Sequence, residues 1–342
     1  MIDESLLAPA AFLLAWLVTT VATALLRREL LRRQVLDRPN ERSSHSEPTP
    51  RGGGWAVVPA VLLGWGLIAW VAGDLDQAGP VLVAAAALGV LSWADDLQPV
   101  PAHWRLLAHL LAAWAAVAAL PGGALVFQGW LPPLLDRALT VLGLVWFINL
   151  YNFMDGIDGL SGAQTLSLGG GLWLVELLAG HPGPEPAYGA ILAGAALGFL
   201  TWNWHRARIF LGDIGSIPLG FLAGWLLVRA ATQGFWLPAL ILPLYYLADA
   251  TWTLGRRLLR GEPVWQAHRQ HFYQRAARRE GRHDRVVIAV LIGNAALIAV
   301  SAATLVSAWA ILMAPLPLVL VIGWMVRPGP HQPDGLSQEE HN

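Results

Sequence analysis

The sequence predicts an all-α, polytopic integral membrane protein, because of its composition, its long apolar segments and the placement of its arginines. Of the 342 residues, 56% are hydrophobic and only 13% are charged, whereas soluble domains carry about 25% charged residues. A bilayer core requires about 20 apolar residues per spanning helix, and backbone that faces lipid must be hydrogen-bonded internally. Long apolar segments in this chain therefore predict transmembrane helices.

The apolar segments predict about 10–11 spans. Nine lie at residues 6–26, 55–73, 80–94, 104–120, 138–151, 160–178, 188–204, 214–228 and 235–254. Residues 286–326 are long enough for two more. The first segment lacks the basic flank and small-residue cleavage site of a signal peptide, so we expect it to be retained. We expect one membrane domain over residues 1–327 and a polar tail over 328–342.

Arginine placement predicts the orientation. All 22 basic residues are arginine, and basic residues in short connections stay on the cytoplasmic side. Two of them, Arg137 and Arg229, are exceptions. The others lie in the C-terminal tail and in the connections at residues 27–54, 95–105, 203–213 and 255–285. We expect these connections to face the cytoplasm.

The residue types that are missing restrict the chemistry. Without cysteine there is no disulfide, no thiolate metal site and no thiol nucleophile. Without lysine, a bound phosphate must be met by guanidinium, metal or backbone.

Carboxylates recur at the ends of the predicted spans. Asp95 and Asp96 are adjacent at the end of the third span, and like charges raise each other's pKa unless a cation or proton is shared. A solvated helix end is the alternative. In NLYNFMDGIDGLSG, Asn149, Asn152 and Asp155 recur every three residues and would share one helical face.

Two further aspartates accompany glycine-rich turns. Asp158 follows Gly156, and Asp213 precedes the eighth span in RIFLGDIGSIPLG. Each aspartate alone could be a helix N-cap. A glycine-flanked loop that leads into a helix also offers amide groups to phosphate, and the aspartate can hold a divalent metal. Because the parity of the spans puts all these positions on one face, we expect the five aspartates to converge.

Two long inward loops combine arginine, histidine and hydroxyl groups, a composition suited to phosphate oxygens. The first, DRPNERSSHSEPTPRGGG, contains His45 and Arg51, and the second contains HRQHFYQR, which begins at His268. The arginines alone could be markers of topology. Topology does not require the histidines.

These motifs, in this order, resemble the bacterial MraY/WecA-type polyprenyl-phosphate N-acetylaminosugar-1-phosphate transferases, glycosyltransferase family 4. The resemblance extends over nearly the whole membrane body. HRQHFYQR looks more like the members that initiate O-antigen or other surface polysaccharides than like those with adjacent histidines in this motif. A second departure is the absence of lysine, so arginines such as Arg51 and Arg105 would take over its phosphate contacts.

The resemblance implies transfer of an N-acetylaminosugar 1-phosphate from a UDP-sugar to undecaprenyl phosphate, with release of UMP. It implies a Mg²⁺ cofactor, for which Mn²⁺ could substitute, held by Asp213 and Asn152. Asp95 and Asp96 would act as the acid–base or lipid-phosphate-handling pair, and Asp158 would lie on the nucleotide side. The other substrate-binding candidates are Asp155, His45, Arg51, His268, Arg269, His271 and Arg275.

Several alternatives stay open at this point. A transporter or flippase of lipid-linked sugars would also carry intramembrane polar residues, but Glu176 and Asp249 are the only acids well inside the predicted spans. The dense clusters lie at one edge, which favours an enzyme. The sequence leaves open the identity of the sugar, direct or aspartyl-phosphate transfer, and whether the protein is a homodimer. We expect contact with membrane lipid and no nucleic-acid partner.

Overall fold

The all-α class is confirmed by a computed structural model, which describes residues 4–38, 47–263 and 268–328. In these ranges the α-helices are α1 Glu4–Arg32, α2 Gly54–Ala72, α3 Leu75–Leu97, α4 Ala102–Ala118, α5 Pro133–Phe153, α6 Leu160–Leu178, α7 Glu185–Asn203, α8 Asp213–Ala230, α9 Trp236–Ile241, α10 Leu244–Leu259, α11 Phe272–Glu280, α12 His283–Ala303 and α13 Pro315–Val326. Two short strands, β1 Leu36–Asp37 and β2 Thr49–Pro50, pair in antiparallel fashion.

The protein is a multi-pass membrane protein. In the described part of the chain, seven segments are long and apolar enough to cross a membrane. They are Leu6–Arg32, Gly54–Ala72, Leu75–Leu97, Pro133–Phe153, Asp213–Ile241, His283–Ala303 and Ala308–Val326. Helices α4, α6 and α7 lie at the fourth, sixth and seventh predicted spans, so a total of 10–11 crossings stays a prediction.

The prediction of one helix over residues 235–254 is wrong. Helix α8 ends at Ala230, and the backbone turns at Gly234, whose φ is 95°, before α9 begins at Trp236. The chain breaks again before α10 begins at Leu244. Pro243 lies at this break, and a proline removes the backbone donor that a continuous helix needs. The long apolar segment is therefore Asp213–Ile241, and α10 is a separate helix.

Helix α8 lies at the centre of the bundle. In the most apolar stretch of its segment, Asp213–Ile241, 94% is buried inside the protein, compared with 22% for the corresponding stretch of α1. Helix α7 packs along both α1 and α6. A Cβ atom at Gly194 would lie 2.2 Å from the carbonyl oxygen of Phe12, and one at Gly198 would lie 2.6 Å from that of Trp16. Small residues thus allow the close backbone approach that is typical of membrane helices.

A buried ion cluster joins α3, α7 and α8 at the end of the bundle opposite Asp213. Arg229 donates two hydrogen bonds to Asp74, at 2.6 and 2.9 Å, and one to Glu185 at 2.7 Å. The hydroxyl of Tyr188 donates to Asp74 as well. Arg229 lies about 24 Å along α8 from Asp213, at 1.5 Å per residue. This arginine is therefore a buried ion-pair partner and not part of a surface loop.

Candidate active site

Arg51 joins two of the predicted carboxylates. Its Nη2 atom lies 2.9 Å from Asp213 Oδ1 and 3.4 Å from Asp96 Oδ1. The three side chains come from the loop before α2, the end of α3 and the start of α8. The exposed fractions are 39% for Arg51, 35% for Asp96 and 27% for Asp213, so this cluster opens to the surface, where a ligand has access to it.

Backbone pairing brings Arg51 to Asp213. Gly53 donates its amide to the carbonyl of Phe210 at 2.8 Å, and the amide of Phe210 donates to the carbonyl of Pro50 at 2.8 Å. Gly212 has a φ of 74°, which glycine adopts without strain. A Cβ atom on Gly54 would lie 2.3 Å from the nitrogen of Gly215. The RGGG and GDIGS motifs are therefore one packed unit.

The NFMDGIDGL motif contributes Asn152 and Asp155 to this region. Ser216, in the first turn of α8, donates a hydrogen bond to Asn152 Oδ1 at 2.6 Å. Burial raises the pKa of the Asp155 carboxyl to about 6, and the negative charge of Asp213 acts in the same direction. The positive charge of Arg51 opposes both effects. Asp155 therefore lies within electrostatic reach of the Arg51 cluster.

Asp95 and its neighbour Asp96 have different partners. Its Oδ2 atom lies 2.9 Å from Arg105 Nη1, and its Oδ1 atom accepts a hydrogen bond from the amide of Val100 at 2.6 Å. Asp95 thus holds the connection between α3 and α4, whereas Asp96 lies against Arg51. The difference arises because successive residues on a helix point in directions about 100° apart.

Asp158 has contacts with His205 and His283. The Nδ1 atoms of these histidines lie 2.8 and 3.1 Å from Asp158 Oδ2. The amide of Ala207 donates to the same oxygen at 3.2 Å. Three of the five aspartates, namely Asp96, Asp155 and Asp213, are therefore grouped around Arg51. The role of Asp158 as a nucleotide contact stays a prediction.

In the HRQHFYQR motif, the two histidines lie together. Arg269 lies between them in the chain, and Arg275 lies four residues after His271. His268 and His271 are stacked, with ring centroids 4.8 Å apart. His271 is buried, while Arg275 is exposed on α11. The carbonyl of Arg269 accepts a hydrogen bond from Arg278. His45 belongs to residues 39–46 and lies outside the described residues.

Helix α11 packs against the NFMDGIDGL motif. The hydroxyl of Tyr273 donates to the carbonyl of Phe153 at 2.9 Å. A Cβ atom at Gly156 would lie 2.2 Å from the Tyr273 hydroxyl oxygen. Glycine at position 156 therefore allows this contact, which joins the NFMDGIDGL and HRQHFYQR motifs.

Asp249 is a site residue whose position the sequence analysis did not anticipate. It is fully buried in α10 and accepts hydrogen bonds from the amides of Phe272 and Tyr273, at 3.0 and 3.1 Å. Nδ1 of His271 lies 3.1 Å from Asp249 Oδ1. Asp249 thus supplies acceptors for the first turn of α11. Its signal in the sequence was a carboxylate inside a predicted span, which marks a functional position by default.

The cluster has the donor chemistry of a site for a divalent cation and phosphate. Asp213, Asp155 and Asp96 provide carboxylates and Asn152 provides an amide oxygen, and hard cations such as Mg²⁺ prefer oxygen ligands. Burial is the main cause of the raised pKa of Asp155, and the negative charge of Asp213 adds to it. A bound cation would favour the ionised form of these carboxylates. The site therefore fits Mg²⁺, with Arg51 available for a phosphate oxygen.

Helices that cross a membrane, with a polar site open at one end of the bundle, define a membrane protein that can act on charged substrates at that end. The model of glycosyl transferase family 4 matches residues 79–231. A decaprenyl-phosphate N-acetylglucosaminephosphotransferase of Mycobacterium leprae is 30% identical over 319 residues, which cover 82% of this chain and 79% of the relative.

Two more relatives have similar names. A decaprenyl-phosphate N-acetylglucosaminephosphotransferase of Mycolicibacterium smegmatis is 35% identical over 236 residues, 62% of this chain. The matched part of this chain spans only 57% of that relative. A probable undecaprenyl-phosphate N-acetylglucosaminyl 1-phosphate transferase of Bacillus subtilis is 27% identical over 288 residues, covering 80% of this chain and 79% of the relative.

The chain belongs to glycosyl transferase family 4, the superfamily of MraY/WecA-type polyprenyl-phosphate sugar-phosphate transferases. The resemblance stated from the motifs is thereby confirmed. The alternative of a transporter of lipid-linked sugars receives no support from these relatives, whose names describe transferases.

Proposed function

We propose that this protein transfers an N-acetylaminosugar 1-phosphate from a UDP-sugar to undecaprenyl phosphate at the cytoplasmic face of a bacterial inner membrane. The products would be an undecaprenyl-diphosphate sugar and UMP. The names of the relatives make UDP-N-acetylglucosamine the first donor to test. The form of HRQHFYQR supports a role in starting a lipid-linked surface polysaccharide such as O-antigen.

The observation that carries the proposal is the meeting of Arg51 with Asp213 and Asp96 beside Asn152 and Asp155. Two phosphate-bearing substrates bring several negative charges together, and phosphoryl transfer is accelerated mainly by positioning and charge neutralisation. Arg51 supplies a guanidinium that binds phosphate oxygens in a planar fork. The aspartates and Asn152 supply oxygen ligands for a divalent cation.

Transfer would proceed by attack of an oxygen of the lipid phosphate on the β-phosphorus of the UDP-sugar. The bond from that phosphorus to the bridging oxygen breaks, and UMP leaves with the electron pair. Asp96 would position the lipid phosphate or take its proton, while Asp213 and Asn152 would hold Mg²⁺. The ion would neutralise charge on the diphosphate. Arg269, Arg275 and the histidines of HRQHFYQR would contact the sugar diphosphate.

The test is UMP release by purified protein that is supplied with undecaprenyl phosphate, MgCl₂ and a panel of UDP-N-acetylhexosamines. We expect UMP and a lipid diphosphate sugar in equal amounts, only when acceptor and Mg²⁺ are both present. Mn²⁺ should substitute in part. A protein that stays folded and yet forms no lipid product with any donor of the panel would contradict the proposal.

The same assay addresses the course of the transfer. In direct attack, UMP appears only with the lipid acceptor. Transfer through an aspartyl phosphate instead predicts a stoichiometric burst of UMP without acceptor, which leaves labelled sugar phosphate on the protein. We propose direct attack.

A further inference from the structure

Two arginines from different parts of the chain lie against one indole ring. The Cζ atom of Arg27, in α1, is 6.0 Å from the centroid of the Trp202 ring, and that of Arg208 is 5.6 Å from it. Trp202 lies in the last turn of α7, and Arg208 lies in the connection from α7 to α8. Arg27 and Arg208, the arginine pair, therefore lie where the end of α1 meets the end of α7.

Three hydrogen bonds hold this arrangement in place. The indole nitrogen of Trp202 donates to the carbonyl of Thr20 at 3.0 Å, which fixes the ring against α1. Arg27 Nε donates to the carbonyl of Arg208 at 3.2 Å, and the amide of Arg208 donates to the carbonyl of Trp202 at 2.8 Å. The fold thus holds two guanidinium groups around one ring without a partner of opposite charge.

The arginine pair lacks a carboxylate partner. In the part of the chain that the structure describes, no aspartate or glutamate forms an ion pair with Arg27 or Arg208. Glu29, two residues after Arg27, is paired with Arg32 and Arg33 instead. A cation–π contact attracts a guanidinium but does not neutralise it. A guanidinium has five N–H donors, so this place suits an anion that has several acceptor oxygens.

The positive-inside rule explains why arginines lie at this end of the bundle, but it does not require two of them around one ring. Arg32 and Arg33 fit the rule alone, since their side chains are exposed and already paired. The surface of α1 on the preceding turns is apolar, with Leu17, Val21 and Leu25 exposed at intervals of four residues. Residues four apart share one face of a helix, so an apolar face leads up to the arginine pair.

We propose that Arg27 and Arg208 bind the phosphate of an anionic phospholipid such as phosphatidylglycerol, whose acyl chains lie along the apolar face of α1. Basic side chains directly beside the cytoplasmic end of a membrane helix attract anionic headgroups, and a guanidinium binds two phosphate oxygens side by side. A zwitterionic phospholipid would bring an ammonium group for which the arginine pair has no carboxylate. The site therefore selects lipids of negative net charge, and the proposal does not rest on the proposed transferase activity.

The test is the lipid selectivity of the purified full-length protein in nanodiscs that contain phosphatidylglycerol and phosphatidylcholine in equal amounts, with the same acyl chains. Native mass spectrometry of protein released from the discs identifies and counts the retained lipids. Wild-type protein should retain phosphatidylglycerol in preference to phosphatidylcholine. In the double variant Arg27→Gln, Arg208→Gln this preference should fall about fivefold for each arginine removed, which is the effect of one arginine beside an anionic membrane.

The matched control is the double variant Arg32→Gln, Arg33→Gln. It removes the same number of positive charges at the same end of α1, but from side chains that are already paired with Glu29. The control should keep the wild-type preference. Equal losses in the two double variants would assign the preference to charge density at the membrane and overturn the proposal. Equal retention of both lipids by wild-type protein would overturn it as well.

Thermal unfolding in detergent checks that the variants are folded. Arg208→Gln alone removes no side-chain hydrogen bond of the described residues, so it provides the same comparison if the double variant does not fold. Lipid retention is measured without turnover. A selective site without UMP release would contradict only the transferase proposal, and UMP release without lipid selectivity would contradict only this one.

Discussion

Arg51 Nη2 lies 2.9 Å from Asp213 Oδ1, although the two residues are 162 positions apart in the chain. The contact joins the end of the first arginine-rich loop to the first turn of α8. Both side chains are partly exposed, so a ligand can reach each of them and take the place of the other residue as its partner. A phosphate on Arg51 and a cation on Asp213 would replace the ion pair between the two residues.

Asp213→Asn should abolish turnover and leave the protein folded. The amide keeps the shape of the side chain but removes a carboxylate from a site with few protein ligands, so we expect a loss of at least about tenfold in kcat/KM. UMP release at saturating MgCl₂ measures this loss, and Asp76→Asn, at an exposed acid of α3, is the control. Activity above about a tenth of wild type would remove Asp213 from the metal site.

Asp95 and Asp96 should respond differently to substitution by asparagine. Asp95 accepts a hydrogen bond from the amide of Val100 and pairs with Arg105. Asp95→Asn should therefore act mainly on stability, with a lower midpoint of thermal unfolding and a small effect on kcat. Asp96→Asn should act mainly on kcat, with a small effect on the midpoint.

The rate of Asp96→Asn should recover in part as the pH rises. The second pKa of a phosphate monoester is about 6, so more of the lipid phosphate is then a dianion without help from the protein. Profiles of kcat against pH for both variants provide the measurement. A sugar-phosphate label on Asp95 or Asp96 would contradict direct attack.

Asp155 should make stability depend on pH when Mg²⁺ is absent. Its pKa is raised from an ordinary value of 3.8 to about 6, mainly by burial. The folded protein therefore binds more protons than the unfolded chain between these values, and stability should fall as the pH rises from 4 to 6. Thermal unfolding across this range measures the effect.

Two controls accompany the pH measurement. Asp155→Asn, which does not titrate, should flatten this part of the profile. Saturating Mg²⁺ should flatten it as well, because a nearby cation favours the ionised carboxylate. A wild-type profile that is already flat without Mg²⁺ would show that Asp155 titrates normally.

Asp249→Asn should weaken binding of the sugar nucleotide. Asp249 accepts the amides of Phe272 and Tyr273 and lies against His271, so its loss leaves buried donors unsatisfied, at a cost of about 1–3 kcal/mol. Displacement of the HRQHFYQR segment should raise KM for the UDP-sugar and leave KM for undecaprenyl phosphate nearly unchanged. Equal changes in both KM values would indicate general destabilisation.

Arg229→Met should destabilise the protein without selective effects on either substrate. The change leaves Asp74 and Glu185 buried without their cation, and removal of one partner of a buried ion pair costs about 3–5 kcal/mol. Arg137→Met, at an exposed arginine, is the control. Thermal unfolding in detergent compares the two variants, and equal melting midpoints would contradict a stabilising role for Arg229.

The class of protein and the helix positions followed from the sequence because lipid imposes simple rules on composition and length. Helix α6 spans Leu160–Leu178, as predicted. The break at Pro243 was missed because the apolar run continues through it, and hydropathy does not record a lost backbone hydrogen bond. The resemblance to glycosyl transferase family 4 was also contained in the motifs.

The sequence by itself determined on which end of the bundle the polar motifs lie, since the number of spans between two motifs decides whether they share a face. Only the tertiary structure decided which side chains meet. It separated Asp96, beside Arg51, from Asp95, beside Arg105, and it turned Asp158 towards two histidines. It also placed Asp249 against His271, which lies 22 residues further along the chain. Such partners depend on the rotation and packing of helices, which involve contacts between distant residues, whereas hydropathy and spacing describe only residues near one another in the chain.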